Sequence, residues 1–327
     1  MDKIIGIGNA LVDALIRLES DDILKEFDLP KGSMQLIQSD LNKKINDRIS
    51  TFKVGKDTGG SAGNTIRALG CLGIPTSFIG KIGDDSYGNF YKRAIEKENV
   101  ESQLLIHPNL PTGVANTFIS PGGQRTFATF LGAGASLTAE DLNLEMFQNG
   151  CYFYIEGYLV QNHELMKRAI SLAKQANLLI CLDLASYNIV HEDKDFFKKM
   201  IIEDVDILFA NKDEAKAITG FEPTEAIEVL ANECKIVIVK IGKEGALIAR
   251  GKERVHVNAI WVDEVVDTTG AGDSFAAGFL YGLATKKELR RCGEIGSLLA
   301  GYVIQYLGAS IPDKRLRELQ QEVMKID

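Results

Sequence analysis

Six short runs of β-branched and aromatic residues, separated by helical patterns, set the tightest limit on how this chain can fold. They are "KIIGIG" (3–8), "TSFIGKIG" (76–83), "CYFYIEG" (151–157), "NLLICLDL" (177–184), "VDILFAN" (205–211) and "KIVIVKIG" (235–242). Each is almost continuously hydrophobic, as a strand covered on both faces must be. Helical patterns fall near 61–72, 85–98, 163–176, 194–202, 212–219 and 224–233. Past residue 270 the chain reads as helix, near 272–284, 286–306 and 313–325. This alternation predicts an α/β fold with a mainly parallel, doubly wound sheet flanked by helices.

Two segments interrupt the alternation. Residues 14–50 contain "DLPKGSMQLIQ", and residues 105–132 contain "TGVANTFISPGGQRTFATFLG". The second alternates apolar and polar residues about a "PGG" turn, which predicts an antiparallel hairpin. No linker or internal repeat divides the 327 residues. The expectation is one domain, 1–327, with a small inserted β lid.

The formal net charge of −8 argues against nucleic acid as a partner, because backbone binding needs a basic surface. Cys71, Cys151, Cys181, Cys234 and Cys292 are scattered, odd in number and never in a CxxC pair, as expected of reduced thiols. The four histidines show no metal-ligand spacing. No signal peptide and no apolar run of about 18 residues is visible, so a cytoplasmic chain without a membrane partner is expected.

Five stretches carry candidate chemistry. In "DTTGAGDSFAAGF" (267–279), Gly270, Ala271 and Gly272 turn the backbone tightly into a helix whose free N–H groups attract an anion. Asp273 in that first turn suits a base that takes a proton from an attacking hydroxyl; a plain helix cap is the other reading. In "GGSAGNTIRALGCLG" (59–73), Gly59 and Gly60 permit close backbone approach and Asn64 offers donor and acceptor. The alternative there is a glycine-rich loop with Ser61 as cap. "GIGNALVD" (6–13) fails the dinucleotide fingerprint because Leu11 stands where the third glycine belongs. It leaves a strand ending in Asn9 and Asp13, polar groups at the sheet edge where α/β folds bind ligands, or else two turn formers. In "NKDEA" (211–215), Asn211 and Glu214 either organise the water shell of Mg²⁺ or form a capping box. Gly242 and Gly245 mark either a hairpin turn or a place where a nucleotide phosphate passes the backbone. No Walker A motif occurs.

In this order the pieces resemble the PfkB/ribokinase family of carbohydrate and nucleoside kinases. "GGSAGNTIRALGCLG" is similar to the family's N-terminal signature, "DTTGAGDSFAAGF" to its C-terminal signature, and "NKDE" to the Asn-x-x-Glu element between them. The resemblance implies a ribokinase-like fold and transfer of the γ-phosphoryl of ATP to a primary hydroxyl of a nucleoside or sugar. It implies Asp273 as base and the Gly270–Ala271–Gly272 backbone as anion hole. Asn9, Asp13, Gly59, Gly60 and Asn64 would grip the acceptor. Lys240, Gly242, Gly245 and Asn211 would line the ATP site, with Glu214 and Asn211 ordering the waters of Mg²⁺. Asp267 and Thr269 lie where some members hold a monovalent cation such as K⁺. Several stretches are most similar to adenosine kinases, and the alternative is a kinase of ribose, fructose or a related sugar. Phe127, Phe130 and Leu131 would offer a purine an apolar wall, or else pack the hairpin. Arg125 would reach the phosphoryl group or a charged acceptor, or else lie in solvent. ATP and a small acceptor are the expected partners of a monomer or homodimer.

Overall fold

The computed structural model describes residues 2–326. The N-terminal part forms β1 (Lys3–Ile7), β2 (Leu11–Arg17), α1 (Asp22–Glu26), β3 (Met34–Leu36), α2 (Ser39–Ile49) and β4 (Val54–Gly59). Then come α3 (Ser61–Cys71), β5 (Thr76–Gly83), α4 (Ser86–Lys97), β6 (Val100–His107), β7 (Gly113–Ile119) and β8 (Arg125–Phe130). The middle comprises β9 (Gly150–Glu156), α5 (His163–Gln175), β10 (Leu179–Asp183), α6 (Tyr187–Glu192), α7 (Lys194–Glu203) and β11 (Ile207–Asn211). It continues through α8 (Lys212–Thr219), α9 (Pro223–Leu230), β12 (Ile236–Lys240), β13 (Ala246–Arg250) and β14 (Glu253–Val257). Three helices close the chain: α10 (Ala271–Ala284), α11 (Leu289–Val303) and α12 (Asp313–Lys325).

The strands form two sheets. The larger has nine strands in the order β14-β13-β12-β11-β10-β9-β1-β5-β6. It is parallel from β12 to β6, and only β13 and β14 run antiparallel at one edge. Successive residues of its strands feed separate cores, as period-two geometry requires. Ile4, Tyr154, Phe209 and Ile238 pack with α3, α10 and α11, whereas Ile5, Phe153, Leu208 and Val237 pack with α5, α7, α8 and α9. Helices therefore cover both faces, and polar side chains are left the strand ends.

The smaller sheet has five strands in the order β3-β8-β7-β2-β4. Its β7–β8 hairpin turns at Pro121-Gly122-Gly123, where both glycines have positive φ (104° and 87°). One face (Ala14, Ile16, Val114, Phe118, Ala128, Phe130) forms a third core with α1 and α2. Registry puts Asp13 opposite Asp57 and Ala115, and Arg125 opposite Ile119, on the other face.

Two expectations are corrected here. Asp13 does not sit at the end of the first sheet strand; it lies within β2 of the smaller sheet. The period-two pattern of "LVDALIR" opens that strand after a three-residue break, Gly8, Asn9 and Ala10. The inserted β structure also draws on β4 at 54–59, outside both interrupting segments, while residues 105–107 belong to β6 of the larger sheet.

Candidate active site

Five neighbouring parallel strands end in polar groups on one edge of the larger sheet: Lys240 on β12, Asn211 on β11, Asp183 on β10, Glu156 on β9, and Asn9 just after β1. Registry aligns Lys240 with Asn211, and Asp183 with Glu156. The N-terminus of α10 meets this row.

The turn into α10 depends on Gly270. Its φ of 74° is left-handed, and a Cβ there would lie 2.6 Å from Cβ of Ala309, so only glycine fits. The N–H groups of Gly272 and Asp273 meet no acceptor among the described residues, as first-turn donors do. Lys240 closes the space above them, with Nζ 3.1 Å from where a Cβ on Gly272 would stand. The ammonium is ion-paired with Asp183 at 3.0 Å. Burial opposes its charge, but Asp183, Glu214 and Asp273 together hold its pKa above the ordinary value.

Asp273 is the third helical residue of α10, yet its side chain does not cap that helix. Oδ1 accepts from Ser61 Oγ at 2.7 Å and Oδ2 from Asn64 Nδ2 at 2.9 Å, both on α3. Ser61 thus serves Asp273 and is not the cap of its own helix, a position held by Gly60. Burial raises the Asp273 carboxyl to about 6, against the two donors that favour its ionised form. Asn64 Oδ1 is buried with no partner.

Asn211 and Glu214 do form a capping box. Asn211 Oδ1 accepts from Glu214 N at 2.9 Å, and Glu214 Oε2 accepts from Asn211 N at 2.7 Å. Glu214 is 2% exposed, and burial with nearby Asp183 raises its carboxyl to about 7. Both residues also line a cleft of about 900 Å³ with Ser61, Asp183, Lys240, Gly242, Gly245, Ala271, Gly272 and Asp273. Apolar residues also line that cleft, among them Ala259, Ile260, Trp261, Val262, Val265 and Ile304. No group of three or more His, Cys, Asp or Glu side chains among the described residues is placed to ligate a metal. Asn211, Asp183 and Glu214 are oxygen-bearing side chains on the cleft that could order the waters of a hydrated Mg²⁺. Gly242 and Gly245 form the β12–β13 hairpin turn, the first of their two readings, and they also line the cleft.

The remaining expected residues lie outside this cleft, toward the smaller sheet. Asp13 faces Gly59, whose Cβ would stand 2.4 Å from Oδ1. Burial and the neighbouring Asp57 raise its carboxyl to about 7. Gly60, with φ 88°, passes so close to Asn9 that a Cβ would lie 2.1 Å from its carbonyl oxygen. Asn9 is 6% exposed and turns its amide inward, donating from Nδ2 to Glu156 Oε1. Arg125 does not lie in solvent. Its Nη1 pairs with Asp267 at 2.6 Å and Thr269 at 3.1 Å, leaving Nη2 buried and unpartnered. Asp267 also accepts from Gly308 N and from Thr269. The guanidinium thus neutralises the pair expected to hold a monovalent cation; the residues do not fit one. Phe127 shares the Arg125 face, whereas Phe130 packs into the core on the opposite face. The three-residue purine wall therefore does not form as expected.

Sequence reasoning passed over Asp183, Glu156 and the segment 259–265. The first two end strands that were identified, so the strand-end rule applied to Asn9 would have found them.

The sequence pattern of the pfkB family of carbohydrate kinases matches residues 32–315. The crystal structure of adenosine kinase from Sinorhizobium meliloti is similar with TM-score 0.88 and 33% identity, covering 98% of this chain and 99% of that one. A probable sugar kinase from Rhizobium etli CFN 42 gives TM-score 0.88 and 32% identity over 100% and 99%. Adenosine kinase 2 of Arabidopsis thaliana is 26% identical over 335 residues, 95% of this chain and 96% of the relative.

Proposed function

The chain belongs to the pfkB family of carbohydrate kinases, and from that premise we propose that it moves the γ-phosphoryl of ATP to the primary hydroxyl of a nucleoside, adenosine first. One observation carries the reading: Asp273 is pinned by Ser61 and Asn64 beside the unpaired N–H groups that open α10. The Asp273 carboxylate takes the acceptor's hydroxyl proton as that oxygen attacks phosphorus. The bond from the γ-phosphorus to the bridging oxygen breaks, and ADP leaves. The N–H groups of Gly272 and Asp273, with Lys240, hold the anionic group in line. Mg²⁺, ordered through water by Glu214 and Asn211, would neutralise phosphate charge when bound. Gly59, Gly60, Asp13 and the free Oδ1 of Asn64 would meet the acceptor, and the five-stranded sheet would act as its lid.

Adenosine is put first on the likeness to the Sinorhizobium and Arabidopsis adenosine kinases over nearly the whole chain, a likeness that the probable sugar kinase from Rhizobium etli equals. A second reading, a sugar kinase, gains from Phe130: with that ring turned away, Phe127 remains as the aromatic candidate on the site-facing side. Coupled ADP production with adenosine, ribose and fructose decides between them. The expected result is the highest kcat/KM with adenosine. Brisk sugar phosphorylation without adenosine turnover selects the second reading, and turnover of no acceptor points to a binding protein.

A further inference from the structure

We infer that Glu156 is a positioning residue for phosphoryl transfer: it fixes the first turn of α3 and, through Ser61 and Asn64, the carboxylate of Asp273. The inference rests on the reading of Asp273 as base.

Glu156 ends β9 and is 1% exposed. Oε1 accepts from Asn9 N at 2.8 Å and Asn9 Nδ2 at 2.7 Å, and Oε2 accepts from Ala62 N at 2.9 Å. The cap residue of α3, Gly60, makes no side-chain bond, so an acceptor 94 residues away satisfies that helix end. Burial raises the Glu156 carboxyl to about 7, while the donors from Ala62 and Asn9, at the positive end of the helix, favour its ionised form. The approach is built into the backbone, since a Cβ on Gly8 would stand 2.4 Å from Glu156 Oε2. Ala62 lies between the two residues that hold Asp273, Ser61 and Asn64. No ion pair reaches Glu156 among the described residues, and a buried carboxylate without a cation is costly. An exposed serine or aspartate cap would end the helix more cheaply. What such a cap lacks is a rigid link from the sheet to the residues that aim Asp273.

Glu156→Gln keeps the shape but sets an NH₂ group against backbone donors. The variant is compared with the wild-type chain for kcat, both KM values, melting temperature and the pH profile of kcat/KM. The expected loss in kcat is on the order of 10²-fold, with KM for ATP within about twofold, because a misplaced reacting group costs rate more than binding. The acid limb of kcat/KM should move to higher pH. Asp273 is faced by Asp183 and Glu156 from the sheet, Lys240 from β12, Asp13 from β2, and Tyr154 and Tyr158. Its Asn64 and Ser61 donors outrank every one of these charges in lowering or raising its pKa, so loosening them dominates. Loss of the Glu156 charge alone would move the limb to lower pH, and that outcome overturns the inference. A double variant with Asn64→Ala should show non-additive losses in kcat; additive losses also overturn it. If Glu156→Gln does not fold, Glu156→Asp retains the charge and should show the same split at smaller size. A wild-type chain without turnover would instead sink the kinase reading. Wild-type turnover that Asp273→Asn abolishes and Glu156→Gln leaves intact sinks only this inference.

Discussion

The two sheets store their chemistry in different places. In the nine-stranded sheet Lys240, Asn211, Asp183 and Glu156 all end strands. In the five-stranded sheet Asp13, Asp57 and Arg125 stand on a face, with Asp13 and Asp57 paired mid-strand. The cause is coverage. Helices bury both faces of the first sheet, so a polar group survives only where the strand stops. Only one face of the second carries a helical layer, and the other is free to bear charge. The first arrangement anchors each group to a strand end, whereas the second aims several groups across a gap. Arg125 spans that gap to Asp267.

The comparison breaks most sharply at Asp273, where the strand-end row meets α10. Asp273→Asn preserves size but cannot accept a proton, so turnover should fall roughly 10²-fold or more. Titration with ATP should change little, since the proposed anion hole is backbone. Turnover near wild type would leave the row without its base. Arg125→Met comes next. It strips a partner from Asp267, whose side chain is only 6% exposed. Asp267 keeps its donors from Thr269 and Gly308, so the destabilisation should be about 2 kcal/mol, below a fully orphaned charge. Chemical denaturation measures it, and an unchanged midpoint would remove the bridge from the account.

The third variant tests the charged face. The folded pKa of Asp13, about 7, lies above the ordinary carboxylate value. The folded state therefore binds the proton more tightly, and the stability it contributes is lost as pH rises from about 4 to 7. Asp13→Asn should flatten that slope and raise the stability of the chain at pH 8. Denaturation at pH 5 and pH 8 reads it, and equal slopes in both proteins would place Asp13 in solvent. The smallest effect belongs to Phe127→Ala. With one aromatic ring facing the site, stacking contributes roughly 1 kcal/mol, so kcat/KM for adenosine should drop about fivefold. The value for ribose should hold. Equal losses would make Phe127 a packing residue of the hairpin.

The same contrast explains what was legible in the sequence. Unbroken hydrophobic runs announced β1, β5, β9, β10, β11 and β12 because burial on both faces leaves no polar interruption. β4, "VGKDTG", holds one strongly apolar residue and was not legible as a strand; its partner β2 supplies the pattern. Gly270 to Asp273 could be read locally, since a turn followed by a helix is a local event. The partners of Asp273 could not, because Ser61 reads as a cap until tertiary packing turns it. Likewise Arg125 and Phe130 belong to one alternating strand, and their faces were implicit in its period of two. Which face meets α1 and α2 depends on segments about a hundred residues earlier.

The bonds from Ser61 and Asn64 to Asp273 join residues 212 and 209 positions apart in the chain. β1, made first, sits between β9 and β5 and cannot be flanked on both sides until residue 156 exists. Loops of that size are slow to close, because their entropy is lost before the contact forms. During synthesis the strands of the larger sheet can assemble before α10 emerges, so catalytic competence arrives as the last product of folding. In refolding, helical signal should therefore return earlier than turnover, and the delay between them times the docking of α10 against α3.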